Sequence, residues 1–182
     1  MDQLQWQVIT QLAQQLGDKL FAQQASVSTA ESCTGGGIAE AITRIAGSSA
    51  WFEVGFVTYS NQQKTRVLKV AESDLQRHGA VSQAVVEAMA RGAQQLAGAQ
   101  YAVAVSGVAG PGGGSPNKPV GTVWIAWAQG AQVQSGCWHF AGDRQAVRQQ
   151  TVQAALAGLL CVVEGRAANT WQHWLKKHLP NQ

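Results

Sequence analysis

The chain has 182 residues, of which 46% are hydrophobic and 13% are charged, and this composition suits one globular domain with a substantial core. The low hydrophobicity and high charge of intrinsically disordered chains are absent. The formal net charge of +3 is too small for a protein built to bind nucleic-acid phosphates. Because a nearly neutral surface tends to associate, we expect a homodimer or another homo-oligomer.

The sequence shows no sign of a targeting segment. Residues 1–20 carry neither a basic region nor a continuous apolar stretch of the kind found in secretion signals. The apolar runs are interrupted before they reach the length of a membrane-spanning helix. Cys33, Cys137 and Cys161 lie far apart and match neither a disulfide framework nor a zinc-site spacing. We therefore expect a reduced, cytoplasmic location, with no membrane partner and no bound metal.

The first half of the chain alternates helices with strands. Leucine and valine recur at four-residue steps between residues 3 and 23, which predicts an amphipathic helix. A short β-like run at 25–29 leads into a Gly-rich turn and then into a helix that ends near Gly47. The β-branched and aromatic residues of 51–59 predict a long buried strand, and short helices follow through His78.

In the second half, Ser82 is a predicted N-cap for a helix with an apolar stripe. An apolar strand at 101–105 follows, and the Gly- and Pro-rich segment 106–116 that comes next excludes regular structure. Two β-rich runs between 120 and 140 predict a hairpin, and Asp143 is the predicted cap of a last long helix.

Helices that alternate with strands predict an α/β protein, and the closing hairpin makes its sheet mixed rather than purely parallel. We expect three layers, α/β/α, around a mostly parallel central sheet. Residues 1–165 are predicted to form one domain, and 166–182 a basic tail helix that carries Trp171 and Trp174. That helix either docks on the domain or a second copy of it, or it offers a basic surface to an anionic partner.

Two Gly-rich turns, at 32–37 and 106–115, follow predicted strands, where the ligand crevices of open α/β sheets lie. Free N–H groups at a helix start attract anions, so residues 34–36 are a candidate site for a phosphate, a carboxylate or an oxyanion. The same glycines would also permit close packing of the helix on the strand. The sequence has no P-loop, and the prolines around Gly112 argue against a dinucleotide-binding fingerprint.

Ser32 and Cys33 are the candidate nucleophiles of the first turn, because a helix start and nearby backbone donors favour a developing oxyanion. Ser32 lacks the preceding glycine of a G-x-S-x-G elbow, and the four histidines do not suggest a Ser-His-Asp triad. Lys64, just past a strand end, is an alternative base, although a lysine in such a segment is more often solvated. Taken alone, Cys33 is also typical of a small packing residue, and Tyr59 of a core or interface residue.

Several sequence blocks resemble the C-terminal domain family of the competence/damage-inducible protein CinA. They include TAESCTGG at 29–36, GFVTYSN at 55–61, SGVAGPGG at 106–113 and GDR at 142–144. The blocks follow in order over roughly residues 5–163, so the resemblance covers most of the chain and leaves the tail outside it. It implies the three-layer fold of that family.

The resemblance also implies an activity, which is hydrolysis of the carboxamide of nicotinamide mononucleotide to nicotinic acid mononucleotide and ammonia, in pyridine-nucleotide salvage. It implies no metal and no cofactor. It implies Ser32 as the nucleophile, Lys64 as the base and Tyr59 as the group that orients or relays a proton. Further positions that we expect to bind the substrate are Glu31, Cys33, Thr34, Gly35, Gly36, Ser106, Gly107 and Arg144.

This chemistry sets requirements on the residues. An amide is a poor electrophile, so the nucleophile has to be activated and the tetrahedral oxyanion stabilised. Lys64 can accept the Ser32 proton only if burial or neighbouring cations lower its pKa towards neutrality. Backbone N–H groups between Cys33 and Gly35 are the expected oxyanion donors. Arg144, with amides of the Gly-rich turns, is expected to hold the substrate phosphate.

Two alternative functions stay open at this point. The chain could bind a pyridine nucleotide without turning it over, although such a paralogue would usually lack one of Ser32, Tyr59 and Lys64. The historical family name also suggests an interaction protein of DNA uptake or DNA damage. Against direct DNA binding, the sequence has no basic stripe interleaved with aromatic residues.

Overall fold

The structure is a computed structural model that describes residues 3–173 of the chain. It has five strands and six α-helices within these residues, together with two short 3-10 turns at Ser48–Ala50 and Ala168–Thr170. The helices and strands, in chain order, are α1 Gln3–Ala22, β1 Val27–Glu31, α2 Gly37–Thr43, β2 Phe52–Val57, α3 Asn61–Leu68, α4 Glu72–His78, α5 Gln83–Ala97, β3 Tyr101–Gly107, β4 Thr122–Gln129, β5 Gln132–His139 and α6 Arg144–Val163.

The strands form one mixed sheet with the order β2-β1-β3-β4-β5. β1 pairs in parallel with β2 and with β3, whereas β4 is antiparallel to both β3 and β5. Four of the five strands therefore run in one direction, and β4 alone is reversed. The predicted mixed, mostly parallel sheet and its closing hairpin are confirmed.

Each face of the sheet has its own apolar core. Successive side chains of a strand point to opposite faces, and β3 shows the consequence. Val103 and Val105 pack against α1, α2 and α6, whereas Ala102 and Ala104 pack against α5. The small alanines allow α5 to lie close to the sheet. With helices on both faces, the protein has the predicted three-layer α/β/α fold.

Two local predictions were wrong. β2 is the last strand on its side of the sheet, so its side chains alternate between half-buried and exposed instead of being buried throughout. Ser82 does precede α5, but its hydroxyl donates to the carbonyl of Gly79 at 2.8 Å and makes no capping bond to the helix. Asp143, by contrast, accepts a hydrogen bond from the N–H of Ala146 at 2.8 Å and caps α6 as predicted.

α6 is the central helix of the larger core. Among the described residues it is the one helix that is long and apolar enough to cross a membrane by length and composition alone. In the structure, 78% of its apolar window is buried inside the protein, as is usual for a core helix. The indole of Trp127 on β4 fixes it to the sheet by donating to the carbonyl of Ala155 at 2.8 Å.

The first residues of the tail pack on the domain. Trp171 is buried, and the centroid of its ring lies 6.0 Å from that of Trp138 on β5. The N–H of Ala168 donates to the Oε1 of Gln134 at 2.8 Å. These contacts favour docking on the domain for this part of the tail, and Trp174 lies outside the described residues.

Candidate active site

Ser32 directly follows β1 at the carboxyl edge of the sheet. Its N–H donates to the carbonyl of Val105 on β3 at 3.1 Å, which fixes it beside the end of the neighbouring strand. The chain then turns into α2 with φ values of 59° at Gly35 and 97° at Gly36, a conformation that a residue with a Cβ rarely adopts. The candidate nucleophile therefore lies between a strand end and a helix start.

The side chain of Lys64 reaches Ser32 from α3, and its Nζ lies 3.0 Å from the serine Oγ. The Nζ also donates to the carbonyls of Thr58 at 2.8 Å and Tyr59 at 3.3 Å. Only 1% of Lys64 is exposed, and this burial lowers the pKa of its amine from 10.5 to about 8. Within residues 3–173, no carboxylate forms an ion pair with Lys64 to oppose that effect.

The surroundings of the Lys64 Nζ suit a neutral amine, which has two N–H donors and one lone pair. The carbonyls of Thr58 and Tyr59 are two acceptors for the N–H groups, and the lone pair is then left to face the hydroxyl of Ser32. This is the geometry of a nucleophile with an adjacent general base. The arrangement can therefore generate a serine alkoxide as it attacks an acyl carbon.

Glu31 is fully buried behind the turn. Its Oε2 accepts from the hydroxyl of Thr34 at 2.6 Å and from the N–H groups of Gly36 and Ile38 at 3.0 Å, and its Oε1 accepts from the N–H of Ala39 at 2.8 Å. A carboxylate in this position satisfies the free N–H groups of the α2 start and is favoured by the helix dipole. The structure thus places the Glu31 carboxylate and the Thr34 hydroxyl in hydrogen bonds that hold the turn together.

The backbone N–H groups of the turn are not equally free to hold an oxyanion. The N–H of Gly35 is already bonded to the carbonyl of Ser32 at 3.1 Å. Among the described residues, the N–H groups of Cys33 and Thr34 donate to no backbone carbonyl. These two groups are therefore the candidates for an oxyanion hole beside Ser32.

Cys33, the other candidate nucleophile, is a core residue. It is 5% exposed and packs in the apolar cluster between the sheet and α2. Burial raises the pKa of its thiol from 9.0 to about 12. Because the thiolate is the reactive form of cysteine, a nucleophile needs the opposite shift. The structure favours Ser32 over Cys33.

Tyr59 and Arg144 form a bridge at the surface of the site. The Tyr59 side chain is 59% exposed, and its hydroxyl accepts a hydrogen bond from the Nη2 of Arg144 at 2.9 Å. The Nη1 of Arg144 donates to the carbonyl of Gly110 at 2.8 Å. Arg144 therefore links the loop after β2, the Gly-rich loop and the start of α6. Tyr59 meets Lys64 through its backbone carbonyl, while its hydroxyl faces Arg144.

The second Gly-rich turn is held in place at Ser106 and Gly107. Ser106 is buried, and its hydroxyl donates to the carbonyl of Ala80 at 2.8 Å. A Cβ at Gly107 would lie 2.6 Å from the Cγ2 of Val123, so β4 leaves room only for glycine. Both residues thus have a structural reason for their type, in addition to the substrate contacts that were expected of them.

Sequence reasoning did not single out Thr58 or Arg148. The carbonyl of Thr58 is the closer of the two that accept from Lys64, and a backbone carbonyl leaves no sequence signal. Arg148 lies one turn after Arg144 on α6, and its Nη2 donates to the carbonyl of Thr34 at 2.7 Å. The four-residue spacing of the two arginines was the signal that could have found Arg148.

The described residues contain no group of three His, Cys, Asp or Glu side chains that could hold a metal ion. All three cysteines are free, and Cys33 and Cys161 are buried whereas Cys137 is exposed. The sulfur atoms therefore form no disulfide, as their spacing predicts. The ionisable side chain that is hydrogen-bonded to the Ser32 hydroxyl is that of Lys64.

Comparison with known proteins places this site in a family, since the model for the CinA C-terminal domain matches residues 9–163. The chain belongs to the CinA C-terminal domain family. Every candidate site residue, from Glu31 to Arg144, lies inside the matched CinA domain, and the tail lies outside it. The resemblance to this family that the sequence blocks indicated is thereby confirmed.

Two bacterial proteins are similar to this chain over nearly their whole length. The nicotinamide-nucleotide amidohydrolase PncC of Pseudomonas putida is 68% identical over 152 residues, which cover 84% of this chain and 95% of that protein. The protein of the same name from Escherichia coli (strain K12) is 55% identical over 154 residues, covering 83% and 92%. Among solved structures, the competence/damage inducible protein CihA of Agrobacterium tumefaciens has a TM-score of 0.83 at 43% identity and covers 86% of this chain and 96% of its own.

Proposed function

We propose that this chain is a nicotinamide-nucleotide amidase, which hydrolyses the carboxamide of nicotinamide mononucleotide to nicotinic acid mononucleotide and ammonia in pyridine-nucleotide salvage. The observation that carries the proposal is the 3.0 Å hydrogen bond between Ser32 and a buried Lys64 of lowered pKa. The names of the two similar proteins, 68% and 55% identical, support the choice of substrate.

In the first half of the reaction, the neutral amine of Lys64 takes the proton of the Ser32 hydroxyl while the Oγ bonds to the carboxamide carbon. The carbonyl oxygen becomes an oxyanion, which the N–H groups of Cys33 and Thr34 stabilise by about 3 kcal/mol each. When this tetrahedral intermediate collapses, the C–N bond breaks. Lys64 gives its proton to the departing nitrogen, so that ammonia leaves and an ester on Ser32 remains.

In the second half, water attacks the ester carbon and Lys64 accepts its proton. The C–Oγ bond then breaks, the proton returns to Ser32, and the carboxylic acid is released. The sum is an amide and water that become an acid and ammonia, with both residues restored. Tyr59 orients the departing nitrogen or relays its proton, for which its hydroxyl exchanges the 2.9 Å contact with Arg144 for one with the substrate.

The products of the reaction test this proposal, because they show which bond of the substrate is broken. Wild-type protein incubated with nicotinamide mononucleotide should release ammonia and nicotinic acid mononucleotide in equal amounts, as measured by an ammonia assay and mass spectrometry. The rate should be unchanged by a metal chelator, because no step needs a metal. Release of free nicotinamide would indicate cleavage of the glycosidic bond and overturn the proposal. Binding without turnover would support the non-catalytic alternative instead.

We also propose a homodimer or another homo-oligomer in the cytoplasm. Large apolar side chains on the surface support association, with Phe21 69%, Val57 54% and Leu96 51% exposed. The three free cysteines suit a reducing compartment. Size-exclusion chromatography with light scattering should give a mass that is a multiple of the single chain, and a single-chain mass would contradict the oligomer.

A further inference from the structure

A cavity of about 500 Å³ lies beside the nucleophile turn, between α1, α2 and the start of α6. Its volume falls within the roughly 300–1,000 Å³ of small-molecule sites. Thr34 and Gly37 line it on the side of the turn, and Trp6, Ile9 and Val152 add apolar surface. The cavity therefore combines the size of a ligand site with a wall shared with the candidate active site.

Two guanidinium groups line this cavity four residues apart, at the N-terminal end of α6. Like charges at this spacing repel each other, and the positive end of the helix dipole adds to the repulsion. Within residues 3–173, neither Arg144 nor Arg148 forms a salt bridge. Their hydrogen bonds go to the hydroxyl of Tyr59 and to the carbonyls of Gly110 and Thr34. Such a pair breaks the local rules of helix stability, which is typical of a functional site.

The charge of the cavity favours an anion. Its charged lining side chains are Arg144, Arg148 and Asp143, which leave a net charge of +1. The Asp143 carboxylate already accepts the N–H of Ala146 as the helix cap. The two arginines retain further N–H groups for a ligand, because each guanidinium has five. Planar guanidinium groups pair well with phosphate oxygens.

Gln149 provides a second, independent observation. The residue lines the cavity and is 9% exposed, and its Nε2 has no acceptor among the described residues. The indole Nε1 of Trp6, another lining residue, is also buried without an acceptor. Buried donors without partners are unfavourable, and a ligand with acceptor oxygens in the cavity would provide partners for them. A sugar phosphate supplies acceptor oxygens from its hydroxyl groups and from its phosphate.

We propose that this cavity binds the ribose phosphate of the substrate, with Arg148 and Gln149 as donors to it beside Arg144. The inference rests on the proposed function and extends it to the half of the substrate that does not react. Thr34 follows Ser32 by two residues, so the cavity wall begins within about 7 Å of the nucleophile along the chain. When the ribose phosphate of the mononucleotide occupies the cavity, the pyridine ring of the same molecule lies on the Ser32 side of the turn.

The probe for this inference is ribose 5-phosphate, whose binding to the full chain is measured by calorimetry. We expect Arg148→Gln to weaken its binding by about 10- to 100-fold, as for loss of a charge-assisted pair. Arg91→Gln is the matched control, because Arg91 also lies on a helix and donates to a backbone carbonyl, that of Ala131 at 3.2 Å. The control should bind the probe like the wild type. Equal binding by all three proteins, or none by the wild type, would overturn the inference.

Arg148 also holds the Thr34 carbonyl, so a second variant and a kinetic readout separate the two roles. Gln149→Leu removes a side-chain amide whose Nε2 makes no hydrogen bond within the described residues. It should weaken the binding of the probe by about 3- to 10-fold, as for loss of one hydrogen bond. With nicotinamide mononucleotide, Arg148→Gln should raise KM more than it lowers kcat. A fall in kcat with unchanged KM would show a structural role alone and overturn the inference.

The relation of the cavity to the reaction is tested by inhibition. Ribose 5-phosphate should compete with nicotinamide mononucleotide, and non-competitive inhibition would place its site elsewhere and overturn the inference. If the mononucleotide is not hydrolysed but the probe binds through Arg148, the proposed amidase fails and the anion site stands. If turnover occurs without effects of Arg148→Gln or Gln149→Leu on binding, the amidase stands and the cavity assignment fails.

Discussion

The Nζ of Lys64 lies 3.0 Å from the Oγ of Ser32, although the two residues are 32 positions apart in the chain. They meet because β1 and β2 are parallel neighbours that end at the same edge of the sheet. The N–H of Thr58 donates to the carbonyl of Glu31 at 2.9 Å and ties the two strand ends together. The relationship therefore depends on strand pairing, and it supports the proposed role of the buried Lys64 as the base.

The first prediction concerns the Ser32–Lys64 pair as a unit. Ser32→Ala and Lys64→Met should each lower kcat on the order of a thousandfold or more, and the double variant should lose little further activity. Lys69→Met, at an exposed lysine in the same segment, should retain wild-type activity. Initial rates of ammonia release measure all four proteins. Losses that multiply in the double variant would mean that the two residues act independently.

The second prediction is a pH dependence. Burial lowers the pKa of Lys64 to about 8, and only the neutral amine can accept the serine proton. kcat/KM should therefore fall about tenfold for each pH unit below that pKa and level off above it. A pH series of initial rates with nicotinamide mononucleotide tests this. Tyr59→Phe should lower kcat/KM but leave the apparent pKa of its pH profile unchanged. A shifted apparent pKa in this variant would assign the titration to the tyrosine.

The third prediction excludes the cysteine as nucleophile. Cys33 is buried with a thiol pKa of about 12, so Cys33→Ala should keep kcat within about tenfold, the change reflecting packing alone. Iodoacetamide should modify the exposed Cys137 and leave both Cys33 and activity intact. Peptide mass spectrometry locates the label. Inactivation that tracks labelling of Cys33 would return it to the list of nucleophiles.

The fourth prediction concerns Glu31 as a positioning residue. Both oxygens of the Glu31 carboxylate accept hydrogen bonds from backbone N–H groups. In Glu31→Gln, the NH2 group of the amide would face one of these N–H donors, so we expect the free energy of unfolding to fall by about 2–3 kcal/mol. kcat should fall more than KM rises, because the fully buried carboxylate holds the turn that follows Ser32. Glu53→Gln, at an exposed glutamate of β2, is the control for urea unfolding and kinetics. An unfolding free energy equal to that of the control would contradict the assignment.

The fifth prediction concerns the tail. Trp171 is buried against Trp138, so Trp171→Ala should lower the free energy of unfolding by about 3 kcal/mol. kcat and KM for nicotinamide mononucleotide should stay at wild-type values, since the tail lies outside the family domain. Denaturant unfolding and steady-state rates measure the two effects. A large rise in KM would instead favour the basic tail as a surface for the anionic substrate.

Local signals explain what could be predicted from the sequence. The apolar runs of β3 and β4 and the glycines at 35 and 36 are local signals, so these strands and the turn after β1 can be predicted from the sequence. The half-exposed state of β2 was not predictable, because it depends on the position of the strand in the sheet. Side-chain pattern alone does not distinguish an edge strand rich in aromatic residues from a buried one.

The candidate site also combines features that the sequence predicts with features that only the fold produces. A polar segment that contains Lys64 is typical of a solvated helix, and the lysine is buried only because the β1–β2 pairing brings Ser32 to it. The hydrogen bonds of Glu31 were not predictable, because its oxygens accept from groups up to eight residues away that only the folded turn brings together. The resemblance to the CinA family marked these positions as belonging to a site. The structure adds the hydrogen bonds that support Ser32 as the proposed nucleophile and place the Glu31 carboxylate within the turn.

The measurement that tests the account most directly is the rate of ammonia release from nicotinamide mononucleotide by wild-type protein and by Ser32→Ala, purified side by side. The account predicts turnover by the wild type and a loss on the order of a thousandfold or more in the variant, with the fold retained by circular dichroism. Release of ammonia by Ser32→Ala at the wild-type rate would contradict it.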